Sequence, residues 1–265
     1  MPEIVTDGRR LAWREAGSGA PALLLHCTLA HSGAWSGVMA RLSDRLAMRA
    51  PDLPGHGRTD LDPDRLPQEQ ALADALALPP ADRPAHVIGH SFGGTVALRL
   101  AVAAPERVAS LTLVDPVLFA LLAETDPGAY AAEMAEAGPA RARMAAGDWE
   151  GAADAFLARW GTGAPPTPTQ RAAMVAGMPF VWRSEAEITI PETATLDAAR
   201  LRRIAVPTLV VTGAASPASI GAIAEGLAQV MPNLRRVEIP GAGHMVPITH
   251  PDAVSAAIRD FLFPD

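Results

Sequence analysis

The chain has 265 residues and a formal net charge of −7, with 49% hydrophobic and 19% charged residues. This length suits one large α/β domain or two smaller ones, and the hydrophobic content excludes a disordered chain. The acidic balance argues against a nucleic-acid partner, whose binding surface is basic. All 22 basic residues are arginine, which excludes the Schiff-base chemistry of a lysine amine.

The N-terminal residues and the single cysteine narrow the class of protein further. The first ten residues lack the apolar region of a signal peptide, and no run of about 18 apolar residues predicts a membrane span. Cys27 has no second cysteine with which to form an internal disulfide or a cysteine-rich zinc site. We therefore expect a cytoplasmic protein, monomeric or homodimeric, with no membrane partner.

The first part of the chain alternates short apolar runs with helical patterns. Residues 4–6 and 11–13 flank the turn dipeptide Asp7-Gly8 and predict a hairpin, and residues 21–26 predict a strand buried on both faces. The later elements predicted here are helices over 35–46, 68–77 and 91–103, and strands over 85–89 and 108–114. Strands separated by helices of this length are typical of a parallel sheet.

The pattern changes at Pro116. Residues 116–199 are rich in alanine and predict helices without clear strands. The alternation then returns, with strands over 207–213 and 234–239 and helices over 219–230 and 252–262. We therefore predict an α/β core made of residues 1–115 and 200–265, interrupted by a helical insertion at 116–199.

The segment Gly89-His90-Ser91-Phe92-Gly93 lies between a predicted strand and a predicted helix, as the G-x-S-x-G nucleophile motif requires. A serine on this sharp turn is exposed at the carboxyl end of the sheet, and glycines two residues away on either side omit the side chains that would collide there. The N-terminus of the following helix favours developing negative charge. Ser91 is therefore the candidate nucleophile.

Together these motifs resemble the α/β-hydrolase fold family, and in particular its capped serine hydrolases. The resemblance extends over the opening hairpin, Leu24-Leu25-His26, the loop 52–57, the nucleophile turn and residues 241–244. It implies a mostly parallel central sheet flanked by helices, with residues 116–199 as a helical cap, or lid. Haloalkane dehalogenases and epoxide hydrolases of this fold carry an aspartate at the nucleophile position, so Ser91 argues against both activities.

The resemblance places the general base at His244, in a glycine-rich loop after the last predicted strand. The other six histidines are expected to have structural or surface roles. The oxyanion hole is expected to use the backbone N–H of Phe92 and that of Thr28, with Leu29 as the alternative to Thr28. Cys27 stands where the family usually has glycine, and we expect a buried small hydrophobic residue there and not a nucleophile.

The catalytic acid departs from the commonest pattern of the family. That pattern places a carboxylate just after the 207–213 strand, where this chain has Gly213-Ala214-Ala215-Ser216-Pro217. Asp115 ends the preceding predicted strand, where some members of the fold carry their acid, and it keeps the order serine, acid, histidine. We therefore predict that Asp115 orients the imidazole of His244. The alternative role for Asp115 is to start a turn before Pro116.

The insertion is expected to cover an apolar pocket. An aromatic residue at helical spacing more often packs a helical core than lines a site, so each candidate has both interpretations. The apolar candidates are Phe119, Leu121, Leu122, Phe156, Trp160, Met178, Phe180 and Trp182. Candidates to bind a substrate carboxylate, or to lie on a solvated face, are Arg141, Arg143, Arg183 and the pair Arg202-Arg203.

These residues predict a hydrolase that cleaves an ester or lactone of a small, largely apolar substrate through an acyl-enzyme on Ser91. No metal or organic cofactor is expected. Carbon–carbon bond hydrolysis and cofactor-free perhydrolysis are alternatives on the same fold. The absence of a carboxylate at Ser216 also leaves open a non-catalytic relative that binds a small ligand beneath the insertion.

Overall fold

A computed structural model describes residues 1–78 and 83–264. Its strands are β1 Glu3–Thr6, β2 Arg9–Ala16, β3 Ala20–Leu25, β4 Leu46–Pro51, β5 Ala85–His90, β6 Val108–Val114, β7 Thr208–Gly213 and β8 Leu234–Ile239. These strands form one sheet in the spatial order β1-β2-β4-β3-β5-β6-β7-β8. The predicted hairpin and the predicted strands of both halves of the chain are therefore present in the fold.

The helices surround this sheet or follow it along the chain. They are α1 Ser36–Leu42, α2 Pro67–Ala77, α3 Phe92–Ala103, α4 Phe119–Thr125, α5 Pro127–Ala145, α6 Trp149–Trp160, α7 Pro168–Thr189, α8 Ala198–Leu201, α9 Ala218–Val230, α10 Val246–Thr249 and α11 Pro251–Leu262. Short 3₁₀ helices cover Ser32–Trp35 and Pro105–Arg107.

The sheet is mostly parallel, as predicted. The β2 strand runs antiparallel to β1 and β4, whereas the neighbours from β4 through β8 pair in parallel. In the β5–β6–β7 ladder, His90 lies opposite Val114, and Val114 lies opposite Val211. Because the carboxyl ends of these strands meet at one edge, the residues that follow them are close in space although distant in sequence.

Apolar side chains cover both faces of the sheet. Alternate residues of one strand point to opposite faces, so Leu23 and Leu25 join one buried cluster while Leu24 joins the other. The first cluster includes side chains of α3 and α9, and the second includes side chains of α1 and α11. Burial on both sides explains why the central strands are continuous apolar runs.

The prediction of a single helix over 35–46 is wrong at both ends. A 3₁₀ helix precedes it, α1 ends at Leu42, and Leu46 begins β4, where it pairs with Ala20 of β3. Leu42 and Leu46 are both fully buried in the same apolar cluster. Their spacing of four residues therefore mimics a helix period, although one residue packs from a helix and the other from a strand.

The helices α4 to α7 occupy the connection between β6 and β7. Among the described residues, the α7 helix is bonded to the α/β core at three points. Gln68 Nε2 donates to the carbonyl of Ser184 at 2.7 Å, Arg183 donates to the carbonyls of residues 63 and 65, and the Arg99–Glu187 ion pair is buried. The connection thus lies firmly against the α/β core. The division into a core and a separate cap domain stays a prediction.

Within the described ranges 1–78 and 83–264, no helix combines the length and the apolar character needed to cross a membrane.

Candidate active site

Ser91 occupies the turn between β5 and α3. Its backbone has φ 54° and ψ −118°, an unfavourable conformation for a residue with a side chain. The N–H of Ser91 donates to the carbonyl of Val114 at 2.9 Å, which ties the turn to the end of β6. The strain is therefore held by the adjoining strand and helix, and the side chain is directed to the carboxyl edge of the sheet.

The two glycines of this turn lie where the backbone is too close for a side chain. A Cβ on Gly89 would be 2.3 Å from the carbonyl oxygen of Gly93, and a Cβ on Gly93 would be 2.2 Å from that of Leu25. Both distances are far inside van der Waals contact. The glycine spacing of the motif is thus a steric requirement of this turn.

His244 lies in the loop that follows β8. Gly241, three residues earlier, has φ +72°, a conformation that glycine adopts without strain. This loop brings the imidazole to the carboxyl edge of the sheet, where its Nε2 lies 3.0 Å from Oγ of Ser91. Its Nδ1 lies 3.1 Å from Oδ2 of Asp115. The structure therefore brings together all three side chains that were predicted to form one set.

Asp115 is completely buried at the end of β6, with φ 42°. Its backbone N–H donates to the carbonyl of Val211 at 2.8 Å, and its Oδ1 accepts from the N–H of Gly213 at 2.9 Å. Its Oδ2 accepts from the hydroxyl of Ser216 at 2.5 Å as well as facing His244. Each carboxylate oxygen has a partner, as burial of this group requires.

These contacts are consistent with one tautomer of the imidazole. With a proton on Nδ1, His244 donates to Asp115, and its Nε2 is free to accept from the hydroxyl of Ser91. In this state the histidine can receive the serine proton while the carboxylate stabilises the imidazolium. Ser91 is 6% exposed and His244 5% exposed, so both are largely shielded from water.

The loop after β3 lies beside Ser91 and is fixed by two histidines. His26 Nδ1 lies 2.7 Å from the carbonyl of Cys27, and its Nε2 accepts from the N–H of Leu53. His56 Nε2 accepts from the N–H of Leu29 at 3.0 Å. The Leu29 N–H is thus engaged by His56, whereas Thr28 faces the same cavity as Ser91. This arrangement favours Thr28 over Leu29 as an oxyanion donor.

Phe92 is the first residue of α3, so its N–H has no carbonyl acceptor within the helix. It immediately follows Ser91, and the positive end of the helix dipole lies at this position. Its side chain is fully buried, with its ring 5.4 Å from that of Phe180 on α7. The backbone N–H of Phe92 therefore stays a candidate oxyanion donor, independently of the side chain.

Cys27 lies in the loop that follows β3 and is buried, with 3% of its surface exposed. Burial raises the pKa of its thiol to about 12. The thiol is therefore protonated at neutral pH and unsuited to nucleophilic attack. The residue fits the expectation of a small hydrophobic side chain.

The remaining histidines have identifiable partners. His90 Nε2 donates to the carbonyl of His244 at 2.8 Å; burial, and then the nearby His244, lower the pKa of His90 to about 3. Burial also lowers the pKa of His26 and His56. The other contacts are His31 with the N–H of Gly33, His86 with Ser110, and His250 with Thr249.

A cavity of about 510 Å³ adjoins Ser91, His244 and Thr28. Its opposite wall consists of residues from α5, α6 and α7. Four of the eight apolar candidates line it, namely Phe119, Phe156, Trp160 and Met178. The other four have different surroundings: Leu121 and Leu122 are buried in the core, Phe180 packs against His56 and Phe92, and Trp182 is 38% exposed.

Charged side chains also line this cavity, and the sequence did not predict most of them. Arg159 of α6 forms two hydrogen bonds with Glu133 of α5, at 3.0 and 2.6 Å, and Arg141 of α5 pairs with Glu185 of α7 at 2.6 Å. Of the arginine candidates, Arg141 alone lines this cavity. The local sequence does not distinguish these charged residues from those on a solvent-exposed helix face, because their pairing depends on how three helices pack.

Comparison with known proteins agrees with this geometry. The sequence matches the "Alpha/beta hydrolase family" over residues 22–257. The chain belongs to the alpha/beta hydrolase family. Among its relatives, lipase LipV of Mycobacterium tuberculosis is 30% identical over 94% of this chain and 96% of its own length. A pimeloyl-[acyl-carrier protein] methyl ester esterase of Methylococcus capsulatus is 29% identical over 93% of this chain and 96% of its own length.

Two further proteins are similar to this chain, one over part of its sequence and one in structure. An uncharacterized Mycobacterium tuberculosis protein is 39% identical over 111 residues, which are 41% of this chain and only 32% of that protein. A hydrolase from Pseudomonas aeruginosa shares the fold with a TM-score of 0.75 and 25% identity, over 99% of this chain and 98% of its own.

This alpha/beta hydrolase differs from the commonest pattern of its family after β7. Ser216 occupies the place where the family usually carries its acid, and its hydroxyl bonds to the carboxylate of Asp115. The two positions therefore lie side by side at the sheet edge. The sequence could not indicate this contact, because residues 115 and 216 meet only through the pairing of β6 with β7.

Proposed function

We propose that this protein hydrolyses an ester or lactone of a small, largely apolar substrate through an acyl-enzyme on Ser91. The observation that carries the proposal is the continuous contact from Ser91 to His244 to Asp115, at 3.0 and 3.1 Å, beside a largely apolar cavity. Nucleophile, base and orienting acid within hydrogen-bond reach are the signature of nucleophilic catalysis by serine.

In the proposed reaction, the Oγ of Ser91 attacks the carbonyl carbon while Nε2 of His244 takes its proton. Asp115, bonded to Nδ1, holds the imidazole and stabilises the imidazolium. The N–H groups of Phe92 and Thr28 bind the oxyanion. His244 then returns the proton to the leaving alcohol, and activates water to release the acid from Ser91.

Residues 116–199 act in this proposal as the cap of the site. The support is that α5, α6 and α7 supply the wall of the cavity opposite Ser91. Because the cavity wall contains Phe119, Phe156 and Met178, an apolar acyl group gains free energy by leaving water there, about 0.8 kcal/mol per methylene. We therefore expect kcat/KM to rise roughly fourfold per added methylene from acetyl to medium-chain esters.

Labelling by a fluorophosphonate probe tests the proposal. The wild-type protein should be labelled and should hydrolyse p-nitrophenyl esters, and Ser91→Ala should abolish both. Ser110→Ala is a matched control, because Ser110 is buried and bonds His86 away from this site. Absence of labelling and of ester or lactone turnover in the wild-type protein would overturn the proposal and favour a ligand-binding relative.

A further inference from the structure

The indole of Trp160 lies directly against the imidazole of His244. The two ring centroids are 4.7 Å apart, and their planes are inclined at 64°. Trp160 is the last residue of α6, so this contact joins the insertion between β6 and β7 to the residue that lies beside Ser91. It is an edge-type contact of the kind that aromatic rings favour.

Trp160 is itself held in place by other neighbours. The guanidinium of Arg159 lies 4.6 Å from the centre of the indole. Both terminal nitrogens of Arg159 bond to the carboxylate of Glu133, whose side chain is 2% exposed. Phe119 adds a further ring contact at 6.2 Å. The indole is therefore fixed by a partly buried ion pair and an aromatic neighbour, and has little freedom to leave the imidazole.

His244 is enclosed by a small number of groups. Asp115 faces Nδ1, Ser91 faces Nε2, and the ring of His90 lies 5.1 Å away. Among the described residues, Trp160 supplies the other ring contact of His244, and it comes from the insertion between β6 and β7. Without the indole, more of the imidazole would face the cavity that it already lines, and the ring could turn its Nε2 away from Ser91.

We infer that Trp160 is a positioning residue for the His244 imidazole, held against it by the Arg159–Glu133 pair. This inference depends on the proposed function, since it assigns to the insertion a part in orienting the base in addition to enclosing substrate. The physical reason is that proton transfer from Ser91 requires Nε2 to stay within hydrogen-bond distance, and a displacement of about 1 Å is costly in rate.

Kinetics of Trp160→Phe and Trp160→Leu test the inference with a substrate too short to fill the cavity, p-nitrophenyl acetate. We expect kcat to fall roughly 10-fold to 100-fold in Trp160→Leu and less in Trp160→Phe, with KM within about twofold. Labelling by the fluorophosphonate probe should slow in parallel. Trp182→Leu, on α7 and 38% exposed, is the matched control and should retain wild-type kcat.

A different kinetic outcome would overturn the inference. If Trp160 only contacts substrate, Trp160→Leu should leave kcat for the acetate ester unchanged and raise KM for long-chain esters alone. Should the leucine variant fail to fold by circular dichroism, Trp160→Phe decides the question, and a kcat for the acetate ester equal to that of the wild type would then overturn the inference.

The two proposals can fail separately: a wild-type protein without labelling or turnover refutes the hydrolase, whereas an active wild type with fully active Trp160 variants refutes only the positioning role.

Discussion

The hydroxyl of Ser216 donates a 2.5 Å hydrogen bond to Oδ2 of Asp115. The same oxygen lies 3.1 Å from Nδ1 of His244, so one carboxylate oxygen serves both neighbours. The place of the family's usual acid is thus filled by a residue that bonds to the carboxylate ending β6. The carboxylate that faces His244 ends the neighbouring strand β6, and the position after β7 carries a hydroxyl that hydrogen-bonds to it.

Asp115→Asn should lower kcat about 10⁴-fold, because the amide cannot hold the proton on Nδ1 or stabilise an imidazolium. The fold should persist, since asparagine tolerates the positive φ of 42° at this position. Steady-state kinetics on a p-nitrophenyl ester measures the loss. Asp260→Asn, an exposed residue of α11, serves as the control, and comparable turnover of the two variants would refute Asp115 as the acid.

Adding Ser216→Asp to Asp115→Asn should recover kcat at least about tenfold, which corresponds to about 1.4 kcal/mol of transition-state stabilisation. In the wild-type protein the Ser216 hydroxyl bonds to the same oxygen of Asp115 that His244 faces, so a carboxylate at position 216 would lie close to the imidazole. The matched control is Ser216→Asn in the same background, which has the same size without the charge. Equal rates for the two double variants would show that position 216 cannot supply the acid.

Gly93→Ala should lower the free energy of unfolding by at least about 1–3 kcal/mol, since the new methyl would lie 2.2 Å from the carbonyl oxygen of Leu25. Labelling of Ser91 should fall with it. Gly221→Ala is the control, because nothing lies within 4 Å of its new methyl and α9 should gain about 0.5–1 kcal/mol. Urea denaturation measures both, and equal stabilities would contradict the steric account of this turn.

Stability should decline as the pH falls from about 6.5 towards 3. Burial lowers the pKa of His90 from 6.5 to about 3, so within this window the unfolded chain binds a proton that the folded chain does not. The free energy of unfolding then drops by up to about 1.4 kcal/mol per pH unit for this residue. Burial of His26 and His56 acts in the same direction.

His90→Gln should reduce by about one the number of protons that the unfolded chain binds in excess of the folded chain, so the free energy of unfolding should depend less steeply on pH. The glutamine amide can still donate to the carbonyl of His244. Urea denaturation at several values between pH 4.5 and 7.5 gives the slope. Above pH 7 the two proteins should have parallel stability profiles, which is the internal control. An unchanged slope below pH 6 would mean that His90 is not held neutral in the fold.

Local patterns in the sequence were sufficient to predict the strands other than β4, the glycine-bounded turn at Ser91 and the carboxylate that ends β6. They sufficed because burial on both faces demands continuous apolar runs, and because the turn tolerates no side chain at Gly89 or Gly93. The resemblance of the glycine-rich loop to its family indicated His244. Parallel pairing of β5, β6 and β7 then explains why Ser91 and Asp115 meet at one edge.

Only the tertiary structure decided which groups touch across those elements. Three such contacts join residues that are distant in the chain. They are the hydrogen bond from the Leu29 N–H to His56, the hydrogen bond from Ser216 to Asp115, and the ring contact of Trp160 with His244. Helix periodicity assigns a face to Trp160 or Leu121 but does not say what that face meets. The end of α1 was missed for the same reason, because Leu42 and Leu46 reach one core from two different elements.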